Sequence, residues 1–600
     1  MNLTIKSLRD AYKNGSLTPA VLIETILSKS IEYDDHNIWI KRLSIGEIKP
    51  YLDRLASYTI EELPLYGVPF AIKDNIDLAG IETTAACADF AYTPEKSAFV
   101  VEQLINAGAI PVGKTNMDQF ATGLVGTRSP EPWGACKNAF DKQYISGGSS
   151  SGSAVAVSLG LVSFSLGTDT AGSGRVPASF NNLVGLKPSK GLLSMSGVVP
   201  ACRSLDCVSI FALTTDDANE VLEQAAVYDV DDQYARSVSF DNNYRQYGSA
   251  EGEFTFAVPR EDQLKFFGDT AASDLFKQTV KEMQSLGGKK IELDFEIFLQ
   301  AAILLYEGPW VAERYVAIEE LITTHPEQLL PVINTIIGSA ENKKATDAFK
   351  AEYKMQSYRL QAKEILQQFD FLLTPTTGTI YTIDEVNADP IKLNSNLGYY
   401  TNFMNLLDCT AVAVPAGYLD NGLPWGVSLV STCMTDRKLL SYANRWQQFK
   451  QLSLGKTDTS LEETDAKDIQ FASMIELVVC GAHLQGLALN WQLEERGATL
   501  VEKTASADKY RMYVIEGAIE RPGMIRDDDN GCALEIEIWK ISPSEFGSFV
   551  AAIPGPLGIG KVEVSDGRWL PGFICESFAV DMTKDISDLG GWRNYLSSKA

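Results

Sequence analysis

Histidine is scarce in this sequence: 600 residues carry three, His36, His325 and His483, so a Ser-His-Asp catalytic arrangement has few possible members. Basic residues are also short. Lys and Arg number 52 against 78 Asp and Glu, for a formal net charge of −26, which opposes binding to a phosphate backbone because that depends on clustered cations. No nucleic-acid partner is expected. The nine cysteines are an odd number and lack the tight spacing of a disulfide framework or a zinc site, so a reducing compartment and no metal are expected. No run reaches the ~18 uninterrupted apolar residues that a membrane-crossing helix needs. The opening residues MNLTIKSLRDAYKNG lack the apolar stretch and small-residue site of a secretory signal. A soluble, cytoplasmic protein with no membrane attachment is expected.

What is present is a chain of 45% hydrophobic composition, too long for one core, since single cores stop growing near ~250–300 residues. Through residue 450, short β-rich runs such as 67–72 and 371–373 alternate with longer amphipathic stretches such as 97–107 and 214–226. That alternation predicts an α/β layered domain over 1–452. Residues 453–468, SLGKTDTSLEETDAKD, hold few large apolar side chains and read as a linker. Beyond it, MIELVVCGAHL, ATLVEKTASADKYRMYVI, ALEIEIWKI and GKVEVSDGRWLPGFICES read as strands of a smaller β-rich α+β domain over 469–600.

A glycine–serine segment, ISGGSSSGSA at 145–154, is followed by GTDTAGSGRVP at 167–177. Alone, the first segment reads as a flexible loop. It runs, however, into AVAVSLGLVSFSLGTDT, a buried helix-then-strand pattern, so its glycines shape backbone inside a core. Glycines at 147, 148 and 172 let backbone amides approach a ligand, and amides around 170–173 would sit beside the Ser173 hydroxyl. A serine needs a base, and with so few imidazoles a lysine is the alternative. Lys73, in LPLYGVPFAIKDNID, ends an apolar run where desolvation lowers an amine's pKa. An isolated lysine there would otherwise be a surface residue at a strand end.

Together these segments closely resemble the amidase-signature family, from about residue 3 to residue 450. GKTNMDQFATG at 113–123 and GVVPACRSLDCVSIFALT at 197–214 support the placement. The resemblance implies an amidase-signature fold with a mixed central sheet covered by helices. It also implies Ser173 as nucleophile, Ser149 as a bridging serine on a cis peptide, Lys73 as base, and Thr170, Ala171, Gly172 and Ser173 as the oxyanion hole, without a cofactor. Ser151 stands where the family more often has glycine, and is expected to alter backbone freedom alone.

The stretch LLYEGPWVAERY at 304–315 has a helical pattern, and Tyr306 and Arg314, about two turns apart, can share a face and grip a carboxylate. Read blandly, it is an aromatic core face with an exposed arginine. The stretch resembles the substrate-recognition helix of the allophanate hydrolases within the amidase-signature family, as does ACRSLDCVSIFALT. The carboxyl-terminal segments are similar to the γ-glutamylcyclotransferase-like domain of the same enzymes, although the cyclotransferase glutamate is missing where AAIPGPLGIG stands. The resemblance implies hydrolysis of allophanate to ammonia and N-carboxycarbamate in urea degradation. The second domain would aid decarboxylation, His483 would bind or protonate the anion, Gly123 would join Tyr306 and Arg314 at the substrate, a urea carboxylase would be the functional partner, and the chain would form a homodimer. His483 also fits a purely structural role. Two alternatives stand beside this reading: an amidase for biuret or glutamine, and a second domain that serves binding or assembly. One decoy is set aside. GAIPVGKT at 108–115 fits the phosphate-loop formula, but a helix pattern precedes its first glycine and Pro111 stiffens it.

Overall fold

The structure, a computed structural model, describes residues 1–239, 242–243, 246–248, 252–461, 474–517, 520–580 and 583–599. The chain divides into two compact units, Met1–Glu463 and Thr464–Ala600.

The first unit is built on a mixed sheet of eleven strands: β1 Trp39–Arg42, β2 Pro69–Lys73, β3 Ile110–Thr115, β4 Phe164–Asp169, β5 Val184–Lys187, β6 Cys207–Ala212, β7 Phe254–Pro259, β8 Gly288–Leu293, β9 Phe371–Pro375, β10 Cys409–Tyr418 and β11 Pro424–Thr432, in the order 1-3-2-4-6-5-10-11-9-7-8. β2 runs parallel to β3 and β4, whereas β6, β5, β10, β11 and β9 pair antiparallel in succession. Every residue of β2, β3 and β4 is buried. Such strands, covered on both faces, read as apolar runs without alternation, which is why 67–72 stood out in the sequence. Because the three are parallel, their carboxyl ends, at Lys73, Thr115 and Asp169, open on one edge of the sheet, where α/β proteins place their ligands.

The helix Ser151–Ser158 is buried along its whole length and packs on β4, β2 and β3. Its small side chains allow this: a Cβ on Gly152 would come 2.3 Å from the Ile38 carbonyl oxygen. Ser151 opens the helix and donates to the Asn116 carbonyl at 3.3 Å, so the residue that departs from the family's glycine has a partner. The amphipathic stretches expected at 97–107 and 214–226 are the helices Phe99–Asn106 and Thr215–Ala225. The phosphate-loop look-alike is β3, a buried strand whose Lys114 lies 3.3 Å from Asp74 Oδ1, both fully buried.

Of the segment 453–468 expected as a linker, residues 462–468 lie outside the described residues. The described part is fastened to the first unit. Asn182 Nδ2 donates to the carbonyls of Ser453 and Gly455 at 2.7 and 2.9 Å, Lys456 Nζ to those of Ala139 and Phe140 at 2.8 and 3.1 Å, and Leu454 and Leu461 are buried. A polar stretch stays ordered here because its carbonyls find side-chain donors.

The second unit carries a five-stranded sheet. Its strands are β12 Ile475–Val479, β13 Thr499–Ala505, β16 Glu535–Ile541, β17 Leu557–Glu563 and β18 Trp569–Cys575, in the order 13-16-12-18-17; β14 Tyr510–Ile515, β15 Arg521–Arg526 and β19 Lys584–Asp585 form a smaller sheet in the order 15-14-19. Leu477, Val479, Ile536, Ile538 and Trp539 lie in its core.

Candidate active site

Lys73, the last residue of β2, is fully buried. Its Nζ donates to Ser149 Oγ and to Thr168 Oγ1, both at 2.7 Å. Burial pushes the amine down to about 7; the carboxylates of Asp118, Asp206 and Asp169 oppose this and Arg314 adds to it. A substantial neutral fraction at neutral pH makes Lys73 competent as a base. Ser149 precedes the buried helix and is joined to Gly148 by a cis peptide. A Cβ on Gly148 would fall 2.1 Å from Asp118 Oδ2 and 2.5 Å from the Gly126 nitrogen, so no other residue fits there.

Asp169, at the end of β4, organises the turn that follows. Its carboxylate accepts the amides of Gly172 and Gly174 at 2.8 and 2.9 Å and pairs with Arg175 through Nε and Nη2 at 2.9 and 2.8 Å. Burial works against the charge, but Arg175 outweighs it and holds the carboxyl below its ordinary value. This arrangement narrows the expected oxyanion hole. The Gly172 amide is committed to Asp169, whereas the amides of Thr170, Ala171 and Ser173 donate to no protein group among the described residues. Gly172 instead supplies clearance: at φ +144°, a Cβ there would lie 2.6 Å from Thr401 Oγ1.

Ser173 is 3% exposed and its hydroxyl donates to the Gly123 carbonyl at 3.4 Å, a loose contact for an O–H donor. Among the described residues no hydrogen bond joins Ser173 to Ser149. The sheet edge thus brings Lys73 and Ser149 into direct contact, and places Ser173 beside Gly123.

Tyr306 and Arg314 were expected on one helix. The structure has two, Glu296–Glu307 and Trp310–Ala317, because Pro309 has no amide to continue the first and Gly308 turns extended, with φ −83° and ψ −167°. The pair still meets: the Arg314 guanidinium lies 5.7 Å from the Tyr306 ring centroid. Arg314 is 2% exposed, donates through Nη1 to Thr122 Oγ1 at 3.2 Å, and its buried Nε has no hydrogen-bond partner. The bland reading of an exposed arginine does not hold.

Sequence reasoning missed several residues. Thr168 shares the Lys73 amine. Asp206 accepts the Thr170 hydroxyl and the amides of Ala201 and Cys202, the latter two at 2.7 and 3.0 Å; burial pushes its carboxyl up to about 6 against those bonds and Arg314. Thr401, fully buried, has an unpartnered Oγ1. The GTDT segment carried a signal for Thr168, a polar side chain in an otherwise buried run, whereas Asp206 follows the exposed Arg203 and the half-buried Ser204 and carried none of that kind. Thr401 is remote in sequence and had none.

In the second unit, His483 lines a cavity of about 460 Å3 with Gln492, Arg521, Phe549, Ile553 and Phe573. Its Nε2 is 2.9 Å from Gln492 Oε1, and the ring stacks on Phe573 with centroids 5.0 Å apart. Burial lowers its pKa, which favours the neutral ring.

Residues 44–440 match the family model described as Amidase. The chain belongs to the amidase family. In this amidase, residues 475–597 further match the model described as allophanate hydrolase C-terminal domain. The chain is 42% identical to the urea amidolyase of Saccharomyces cerevisiae, covering 99% of this chain and 33% of the relative. It is 43% identical to that of Lachancea kluyveri, covering 97% and 33%. The amidase therefore spans about a third of the length of these curated relatives. The solved Kluyveromyces lactis allophanate hydrolase is 39% identical, with a TM-score of 0.76 over 98% of both chains. The mixed sheet with its covering helices is the amidase-signature fold. Among the described residues, no helix is long and apolar enough to cross a membrane.

Proposed function

We propose that this amidase hydrolyses allophanate, with Ser173 as nucleophile. Neutral Lys73 takes the proton of Ser149, which takes that of Ser173; the Ser173 oxygen then attacks the carbonyl carbon of the terminal amide. The amides of Thr170, Ala171 and Ser173 receive the developing oxyanion. Collapse expels ammonia as Ser149 returns a proton to the leaving nitrogen, and water hydrolyses the acyl-enzyme to N-carboxycarbamate. Thr168 holds the lysine in line while it carries the charge.

The substrate assignment rests on Arg314. In a protein with a net charge of −26, a small anion needs a fixed local cation, and Arg314 is buried beside Tyr306 with a spare donor. The names of the urea amidolyase and allophanate hydrolase relatives point the same way. On this reading a urea carboxylase supplies the substrate, the chain works in the cytoplasm as a homodimer, and the His483 cavity decarboxylates N-carboxycarbamate. Ammonia release from allophanate, biuret, malonamate and glutamine, by wild type and Arg314→Ala, tests it. The expected result is strong preference for allophanate that the variant loses; no release from allophanate by wild type overturns the assignment.

A further inference from the structure

Behind the loop 200–206, on the first unit, lies a second cavity of about 380 Å3, and its wall is unusually cationic for so acidic a chain. Lys190, Arg203, Arg236 and Arg359 line it together with Asp206, Glu352 and Asp408. Two of the cations are matched: Arg236 holds Asp408 through both terminal nitrogens at 2.9 and 3.0 Å, and Arg359 Nη1 holds Glu352 at 3.0 Å. The Asp206 carboxylate is already engaged by Thr170 and by two backbone amides. Two cations remain. Lys190 makes only a 3.3 Å contact to the Ser204 carbonyl, and Arg203 has no ion pair among the described residues. Burial pushes Lys190 down to about 8; Asp408 opposes this, and Arg359, Lys187 and Arg236 add to it. A positive charge held under those conditions is favoured by an incoming anion.

Asp206 lines the cavity and binds Thr170. Ser204 fastens the loop to Glu313 through its amide and hydroxyl, both at 2.7 Å, and Trp310 lines the cavity on the same helix that carries Arg314 to Thr122. We propose that Lys190 and Arg203 form a binding site for a small dianion, two carboxylates or a phosphate in size, adjoining the active site. The reaction proposed above turns a monoanion into a product with two carboxylates, so the site would favour product over substrate; this use of the site rests on that reading, whereas the site itself does not.

Malonate, a stable two-carboxylate probe, tests the site by titration calorimetry on the full chain. In Arg314→Ala/Arg521→Ser, which removes the catalytic cation and the cation that lines the His483 cavity, one malonate site should persist. Adding Arg203→Ser and Lys190→Met should weaken it at least tenfold, and Arg203→Ser alone, at an exposed position, should weaken it several-fold without lowering Tm. Equal affinity with and without Lys190 and Arg203 overturns the proposal. Turnover distinguishes the source of the dianion. If it is the product leaving Ser173, Arg203→Ser slows steady ammonia release and spares the first turnover; if it comes from solution, the variant keeps full turnover and loses any response to added malonate. Wild-type failure to release ammonia from allophanate would sink the reaction assignment and leave the malonate measurement decisive for the site.

Discussion

Lys73 Nζ and Ser149 Oγ stand 2.7 Å apart, both fully buried, and on the proposed mechanism this contact sets the pH behaviour of the reaction. The relay needs the neutral amine. With the lysine brought down to about 7, kcat/KM for ammonia release should be flat above pH 8 and fall about tenfold per pH unit below 6, as the amine takes up the proton it must lack. Lys73→Met should reduce kcat by at least about 10³-fold, a loss typical of an acid–base unit. Thr168→Val removes an acceptor that favours the charged amine, so the acid limb should move to lower pH, with kcat down roughly tenfold. An unchanged limb in that variant would remove Thr168 from the relay.

Arg314 offers the sharpest separation of binding from chemistry. Truncating one member of a buried charged pair costs about 2–4 kcal/mol, or ~30- to ~1000-fold. Arg314→Ala should therefore lower kcat/KM for an anionic amide by that factor while changing a neutral amide by less than about threefold. Lysine should rescue poorly, since one ammonium cannot reproduce the guanidinium's planar fork. Parallel assays on malonamate and malonamide give both numbers from one preparation.

The candidate residues of the first unit stood out in the sequence because local backbone demands expose them. The glycines around Ser149 and Ser173 are there for close approach, and the apolar run ending in Lys73 is a strand covered on both faces. What stayed hidden was anything set by distant partners. That Gly172 spends its amide on Asp169 depends on an Arg175 ion pair sealed under Asn405 and Thr401, which no spacing reveals. The break at Gly308 and Pro309 was in plain sight, yet the eight-residue period across it suggested one helix. Tertiary packing restores the contact that continuous helix geometry was expected to supply. The polar stretch 453–461 misled for a related reason: composition counts what a segment can bury and misses donors such as Asn182 reaching it from elsewhere.

Gly172→Ala should separate catalysis from stability. The new methyl would sit 2.6 Å from Thr401 Oγ1 and 2.9 Å from its Cβ, at a backbone φ of +144°, so the turn must shift and carry the Ala171 and Ser173 amides with it. Losing one oxyanion donor costs about 10²–10³ in kcat. The expected signature is a fall of that size in kcat with KM within about threefold and a Tm drop of a few degrees, since roughly 1–3 kcal/mol of strain is added. Pre-steady-state acylation measured on the variant checks it; normal acylation would mean that the amides do not receive the oxyanion.

His483 tests whether the second unit does chemistry. Burial favours its neutral ring, which stacks on Phe573 and lies within hydrogen-bonding distance of Gln492 Oε1 at Nε2; a carbonyl oxygen there selects the tautomer with the proton on Nε2 and Nδ1 as an acceptor. In the full-length chain, His483→Ala should leave the initial rate of ammonia release within about twofold of wild type, because Lys73, Ser149 and Ser173 belong to the other unit. Carbon dioxide release should then lag behind ammonia, following the spontaneous decay of N-carboxycarbamate. Gln492→Leu should produce the same lag in milder form, since the unheld ring samples both tautomers. If the domain serves assembly instead, both variants would release carbon dioxide in step with ammonia, and the change would be seen in solution mass.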